Sequence, residues 1–296
     1  MKLALGTAQF GLDYGISNRQ GKVSKTEIKE ILDQAFSVGI STLDCAAMYG
    51  DSEQVLGQLI PNSNFNVITK IPPLAPEQES LLDYFDQSFR KLQQQQLYGL
   101  LLHQADDLII HPKRKQFFQQ LDVLKKQKLI KKIGASLYNP TELHNIAQHF
   151  PIDFAQVPIN IFDQRFLAPD IINLCQEKKI KLHARSLFLQ GLIFFNKQEL
   201  PQYFHPFESK LAAFTLLAKH LNCSKLTLAL AIVAQESHDY SHIIDKLIIG
   251  VCNCQELNEL VLAYQHAKVL AINTDELSKL VDQRINFINP SYWPQK

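Results

Sequence analysis

The chain has 296 residues, 46 % of them hydrophobic and 20 % charged, with 30 Lys and Arg against 29 Asp and Glu. That balance leaves no basic footprint for nucleic acid or an anionic membrane, and the apolar content excludes a disordered chain. Five cysteines exclude a complete disulfide framework, and no stretch approaches ~18 uninterrupted apolar residues, so neither a membrane span nor a signal peptide is expected.

Taken in chain order, short runs rich in Ile, Leu and Val fall at 2–5, 39–44, 65–70, 98–103, 132–136, 154–157, 181–185 and 246–250. Their brevity and β-branched content suit strands buried on both faces. Amphipathic stretches lie between them. Residues 26–38 place Ile28, Ile31, Leu32 and Ala35 on one helical face, and 81–92, 113–126 and 142–149 read the same way. Asn139-Pro140-Thr141 is a turn that starts a helix. The last interval holds two helical stretches, 209–221 and 226–235, joined by Asn222-Cys223-Ser224.

Eight strand signals alternating with helices, with no Gly/Ser-rich or Pro-rich linker, predict an α/β fold: a single (β/α)8 TIM barrel domain over 1–296. The rival, a doubly wound sheet, calls for GxGxxG after the first strand. Gly6, Gly11 and Gly15 do not make that motif.

Asp44, Lys70, His103, Ser136, Gln156 and Arg185 each close an apolar run at its C-terminal end. In a barrel those ends share one face, the one that carries active sites. Singly, each reads as a solvated strand end; together they converge on one mouth. Asp44 and Lys70 suit a partly buried ion pair, and Tyr49 lies in the loop above Asp44. A phenol with a reference pKa of ~10 is a poor acid near neutrality, and a nearby ammonium lowers that value. With His103 on the same carbonyl oxygen, these groups make a general acid for a carbonyl that accepts a nucleophile.

These residues resemble the aldo-keto reductase family. The segment from Asp44 through Ala46, Tyr49 and Gly50 to Ser52 and Glu53 is similar to D-x-A-x-x-Y-G-x-S-E. Ile68-Thr69-Lys70 resembles the strand that bears the family lysine. Leu101-Leu102-His103 with Asp106 resembles L-L-H-x-x-D, and Gly134-Ala135-Ser136 resembles G-x-S. Gln156 with Asn160 resembles Q-x-x-x-N, and Leu189-Gln190-Gly191-Leu192 the seventh-strand loop. The set runs in order from Gly6-Thr7 to Ile249-Gly250.

The resemblance implies a TIM barrel that holds NADPH or NADH in extended form, and an aldehyde or ketone reduced by hydride transfer or the alcohol oxidised. Asp44, Tyr49, Lys70 and His103 match the catalytic tetrad. Tyr49 is then the proton donor, Lys70 lowers its pKa, Asp44 orients Lys70, and His103 positions the carbonyl. Ser136 or Asn139, with Gln156, is expected on the nicotinamide carboxamide, and Ser186 and Gly250 along the cofactor. Arg185 stands where the family often has an aromatic residue; a guanidinium there either stacks on the ring or binds a carboxylate or phosphate of the substrate. The bland reading is a surface arginine paired with an acid.

Glu256 falls where a basic residue commonly meets the 2′-phosphate of NADPH, which makes NADH a live option, with Lys246 or Arg284 as other sources of positive charge. The run from Ser186 to Gly191 resembles a bacterial branch tied to polysaccharide and sugar-nucleotide pathways. The expected partner is a small-molecule carbonyl substrate, anionic or sugar-like; no nucleic acid, membrane or metal is expected, no oligomeric state is read from the sequence, and a cytoplasmic location with reduced thiols is the simpler reading.

Other signals are discounted. His144 and His149, five apart, do not share a helix face. The lysines from Lys125 to Lys132 read as a solvated helix end, and Cys252 and Cys254 as reduced thiols, with a direct redox function as the lesser alternative. Phe194-Phe195 and Tyr203-Phe204 read as loop packing, with a wall of the substrate pocket as the alternative. Two rival functions keep the barrel: a lyase with Lys70 as Schiff-base nucleophile, and a non-catalytic nucleotide-binding interaction subunit.

Overall fold

A computed structural model describes residues 1–294. Eight parallel strands close into a barrel in sequence order. They are β1 (Leu3–Gly6), β2 (Thr42–Asp44), β3 (Asn66–Ile71), β4 (Leu97–Leu102), β5 (Ile130–Ser136), β6 (Phe154–Pro158), β7 (Lys181–Arg185) and β8 (Ile244–Ile249). The expected strands hold to within a few residues. The largest shift is β2, which starts only at Thr42 because Gly39, with φ +85°, turns the chain between helix and strand.

The predicted helices are α1 (Lys25–Ser37), α3 (Leu82–Leu92), α4 (Arg114–Lys126), α5 (Pro140–His149), α7 (Glu208–His220) and α8 (Lys225–Ala234). Three more of eight residues or longer, among the described residues, were not singled out from the sequence: α2 (Ser52–Leu59), α6 (Pro169–Lys178) and α9 (Cys254–Val269). α1 shows the local logic. The Ser24 hydroxyl accepts the Glu27 N–H at the N-terminus, and Ile28, Ile31, Leu32 and Ala35 are all buried against the strands. The Gln93–Gln96 run begins at the left-handed residue that ends α3.

Two apolar layers result. The large one lies between strands and helices; a small one, Ile68, Leu101 and Phe154, fills the barrel. The Phe154 ring takes the space that side chains at Gly99 and Gly134 would need, since a Cβ would stand 2.8 Å from it at Gly99 and 2.9 Å at Gly134. Strand side chains alternate with period two. The residue two positions beyond each of these interior groups therefore points into the barrel one layer higher. Ile68 leads to Lys70, Leu101 to His103, Gly134 to Ser136 and Phe154 to Gln156. By the same step His183, whose ring packs on Phe154 at 4.4 Å, leads to Arg185. An apolar floor thus carries a polar layer at the C-terminal mouth.

Lys132 does not belong to a solvated helix end. It lies in β5, where its ammonium donates to the Tyr98 hydroxyl at 2.7 Å and lies 3.6 Å from Asp245. Lys125 and Lys126 do end α4, with Lys125 paired to Asp153. Phe204 packs into the core against Trp293, whereas Phe194 lines the mouth. All five cysteines are free thiols. Among the described residues no single helix is long and apolar enough to cross a membrane.

Candidate active site

The mouth opens into a cleft of about 810 Å³, within the roughly 300–1,000 Å³ of small-molecule sites. Lys70 lies beneath the cleft, bonded to Asp44 and Tyr49, which line it. Its ammonium donates to Asp44 Oδ2 at 2.8 Å, to the Cys45 carbonyl at 2.8 Å and to the Tyr49 hydroxyl at 3.3 Å. Lys70 is 0 % exposed and Asp44 2 %. The pair is fully buried rather than partly buried, as the sequence suggested. Burial pulls the Lys70 pKa down, but the Asp44 carboxylate and the Tyr49 oxygen more than offset it, so the net shift is upward and the lysine stays charged.

Tyr49 departs from its expected electrostatics. Burial raises its pKa; the Lys70 ammonium opposes this, and burial wins. The phenol is held protonated, and Lys70 limits the rise instead of producing an unusually acidic group. His103 lies beside it, with ring centres 6.0 Å apart and planes near perpendicular. Burial, seconded by the Lys70 charge, lowers the imidazole pKa to about 4. His103 is therefore neutral near pH 7, and its buried Nδ1 has no partner.

The loop that carries Tyr49 is pinned from three sides. A Cβ on Gly11 would stand 1.8 Å from the Tyr49 carbonyl oxygen, so only glycine lets the two chains touch. Gly50 adopts φ +57° and meets Gly11 in return. The Ser52 hydroxyl bonds both the Thr7 carbonyl and the Thr7 hydroxyl at 2.9 Å, and Thr7 Oγ1 donates to the Asp44 carbonyl at 3.1 Å. The Thr69 hydroxyl donates to Glu53 at 2.6 Å. Ser52 and Glu53 thus lock the loop to the strands.

The structure brings Asp44, Tyr49, His103, Ser136, Gln156, Arg185, Ser186, Gly250 and Glu256 to one cleft, with Lys70 beneath it. Three expectations need correction. Asn139 is not in the cleft. It caps α5 in a capping box with Glu142, and its Oδ1 accepts Arg165 Nη1 at 3.0 Å. Lys246 lies at the opposite end of the barrel, with Met1, Lys2 and Asp245. Arg284 is outside the cleft, forked onto Asp282 and stacked on Phe207. Asn160 also turns inward on its own chain, accepting the Phe162 and Asp163 N–H groups.

Two residues sit in place but are already engaged. Gln156 Nε2 donates to Asp44 Oδ1 at 2.7 Å, which leaves its carbonyl oxygen for the cleft. Glu256 accepts the Cys252 N–H at 2.7 Å while Asn253 Oδ1 accepts the Glu256 N–H, so the carboxylate is fixed at the start of α9. Arg185 is not a surface arginine paired with an acid. Its guanidinium stacks 4.1 Å over the Tyr138 ring. The sequence reading passed over Gln9, Tyr14, Tyr138, Lys225 and Glu259, which also line the cleft. Tyr138 had a signal: it follows Ser136 by two positions, as Ser136 follows Gly134.

A nicotinamide dinucleotide fits this cleft by its donor set. His103 with its orphaned Nδ1, the Gln156 oxygen, the hydroxyls of Ser136 and Ser186, and the start of α9 all line it. The chain belongs to the aldo/keto reductase family, whose sequence model matches residues 2–280. It is an NAD(P)-dependent oxidoreductase of a family that acts on small-molecule carbonyl compounds. An aldo-keto reductase from Klebsiella pneumoniae in complex with NADPH is 18 % identical with a TM-score of 0.68, over 97 % of this chain and 94 % of that one. The holo form of one from Bacillus halodurans is 17 % identical with a TM-score of 0.68, over 96 % and 94 %. A thermostable aldo-keto reductase, Tm1743, bound to the inhibitor epalrestat, is 18 % identical with a TM-score of 0.67, over 95 % and 94 %. No curated protein sequence matches the chain significantly.

Proposed function

We propose that this aldo/keto reductase family member reduces an aldehyde or ketone to the alcohol, with Tyr49 as the proton donor. The observation that carries the reading is the Lys70 ammonium, held at once by Asp44 and by the hydroxyl of Tyr49. When bound, a reduced nicotinamide cofactor would supply the hydride for the carbonyl carbon. Tyr49, protonated at rest, gives its proton to the carbonyl oxygen, and its O–H bond breaks as the alcohol O–H forms. The phenolate left behind faces a positive charge 3.3 Å away that Asp44 keeps from leaving. That is stabilisation aimed where charge develops. Neutral His103 donates a hydrogen bond to the same oxygen and orients it. Ser136 and the Gln156 oxygen, which line the cleft, would hold the cofactor carboxamide. The reverse direction oxidises the alcohol through the same groups.

A charged Lys70 is not a Schiff-base nucleophile, since that chemistry needs a free amine. Tyr49→Phe tests the reading: turnover of aldehyde substrates should fall by at least ~100-fold, while NADH binding, followed by nicotinamide fluorescence, stays in place. Turnover that survives the substitution overturns it. Cofactor bound without turnover of any carbonyl by the intact protein would favour the interaction-subunit alternative.

NADH is the preferred cofactor on this reading. The carboxylate of Glu256, fixed at the start of α9 with Glu259 one turn on, repels a 2′-phosphate at that end. Paired fluorescence titrations should give a lower Kd for NADH than for NADPH; the reverse order, with Lys225 as the compensating cation, overturns the preference.

A further inference from the structure

Arg185 ends β7 and lines the same cleft as Tyr49 and His103. The ring of Tyr138 covers one face of its guanidinium at 4.1 Å. Nη1 donates to Ser186 Oγ at 3.2 Å and Nη2 to the Leu137 carbonyl at 3.1 Å. Both partners are neutral. The contrast within the chain is direct. Arg165 forks onto Asp163 and Arg284 onto Asp282, each two residues away, with contacts of 2.6–2.9 Å. Lys70 has Asp44. The ion pairs among the described residues leave Arg185 without a carboxylate.

The position gives that charge a use. Arg185 is fixed by strand register: Pro158 pairs with it, as Gln156 pairs with His183 below. Its field reaches the reacting groups, acting to lower the pKa of both the Tyr49 phenol and the His103 imidazole. A partly buried guanidinium with only neutral partners is incompletely compensated for the water it has lost, and an oxyanion would complete it with short charge-assisted hydrogen bonds. Tyr14, Phe188 and Phe194 line the cleft as well and suit a short carbon skeleton.

We infer that Arg185 anchors an anionic group, a carboxylate or a phosphate, on the carbonyl substrate, and so selects acidic aldehydes or ketones over neutral ones. The inference rests on the reading of Tyr49 as proton donor, because it places the anion on the mouth where the carbonyl is reduced.

The test compares wild type, Arg185→Gln and Arg185→Lys on two matched pairs: succinic semialdehyde with butanal, and glyceraldehyde 3-phosphate with glyceraldehyde. Wild type should favour the charged member of at least one pair by ~10- to 100-fold in kcat/KM, as hydrogen bonds to an ion imply. The preferred pair identifies carboxylate or phosphate. In Arg185→Gln that ratio should collapse toward one through KM, and Arg185→Lys should keep part of it. NADH affinity of each variant is read separately by fluorescence. A wild-type ratio near one, or a ratio that survives Arg185→Gln, overturns the inference. So does an equal loss on all four substrates with weakened NADH binding, which assigns Arg185 to the cofactor. If the protein turns over no carbonyl at all, the NADH-loaded protein is titrated with succinate and with inorganic phosphate. Arg185-dependent binding of either then upholds the anion site and removes the proposed function; binding of neither removes the anion site.

Discussion

Gln156 donates to one oxygen of Asp44 while Lys70 holds the other, so β6 and β3 are joined through a single buried carboxylate from β2. A residue expected on the cofactor is thereby also part of the frame that fixes the lysine. Gln156→Leu should leave Asp44 Oδ1 buried without a donor and cost about 1–3 kcal/mol of stability, read by chemical denaturation. An unchanged midpoint would mean that water replaces the amide.

Removing the lysine should do more damage than removing the glutamine. Lys70→Met leaves the buried Asp44 carboxylate without its cation, and a broken buried pair costs about 3–5 kcal/mol. Lys70→Met with Asp44→Leu should recover a good part of that stability, because both charges are gone, without recovering turnover. A double variant no more stable than the single one would show that the pair is worth more than its desolvation.

Gly11 reports on the placement of Tyr49 without touching its chemistry. Gly11→Ala drives a methyl into the carbonyl of Tyr49 and must shift the loop. The expected result is a fall in kcat of about 10- to 100-fold, because a displacement near 1 Å at the reacting groups carries that cost. The pH dependence of the residual activity should also move, since Tyr49 leaves Lys70. Wild-type kcat would show that the loop yields elsewhere.

Glu256 sets both a helix start and a charge. Glu256→Lys removes the acceptor for the Cys252 N–H, at a cost of about 1 kcal/mol. It also places a cation at the start of α9. The ratio of NADPH to NADH affinity should rise at least ~10-fold, by the exchange of a repulsive for an attractive partner. No change in the ratio would place the adenosine end elsewhere in the cleft.

Asp107 gives a pH signature outside the cleft. Its Oδ1 accepts the Leu74 N–H at 3.2 Å, its Oδ2 is buried without a partner, and burial raises its pKa to about 6. Between pH 3.8 and 6 the unfolded chain has released this proton while the folded one keeps it. Stability therefore falls as pH rises through that window, and the penalty is complete above it. Asp107→Asn should flatten this part of the stability–pH curve by a quantity of order 1 kcal/mol, after allowing for solvent screening. A curve that keeps its slope would assign the dependence to another group.

The sequence by itself determined the barrel and which polar residues ring its mouth. Eight apolar runs alternate with amphipathic helices, and strand periodicity of two carries each interior group to a polar residue one layer up. Asp44, Lys70, His103, Ser136, Gln156 and Arg185 were legible because each closes an apolar run at its C-terminal end, and Tyr49 from the loop that follows Asp44. Periodicity fixes which face a side chain takes, but not its partner across the barrel, because that depends on strands far apart in the chain. Only the tertiary structure decided that Gln156 serves Asp44, that Asn139 caps a helix, and that Lys246 sits at the far end. It also decided the electrostatics: burial, which no local pattern encodes, outweighs Lys70 at the phenol of Tyr49, and Arg185 is left with neutral hydrogen-bond partners.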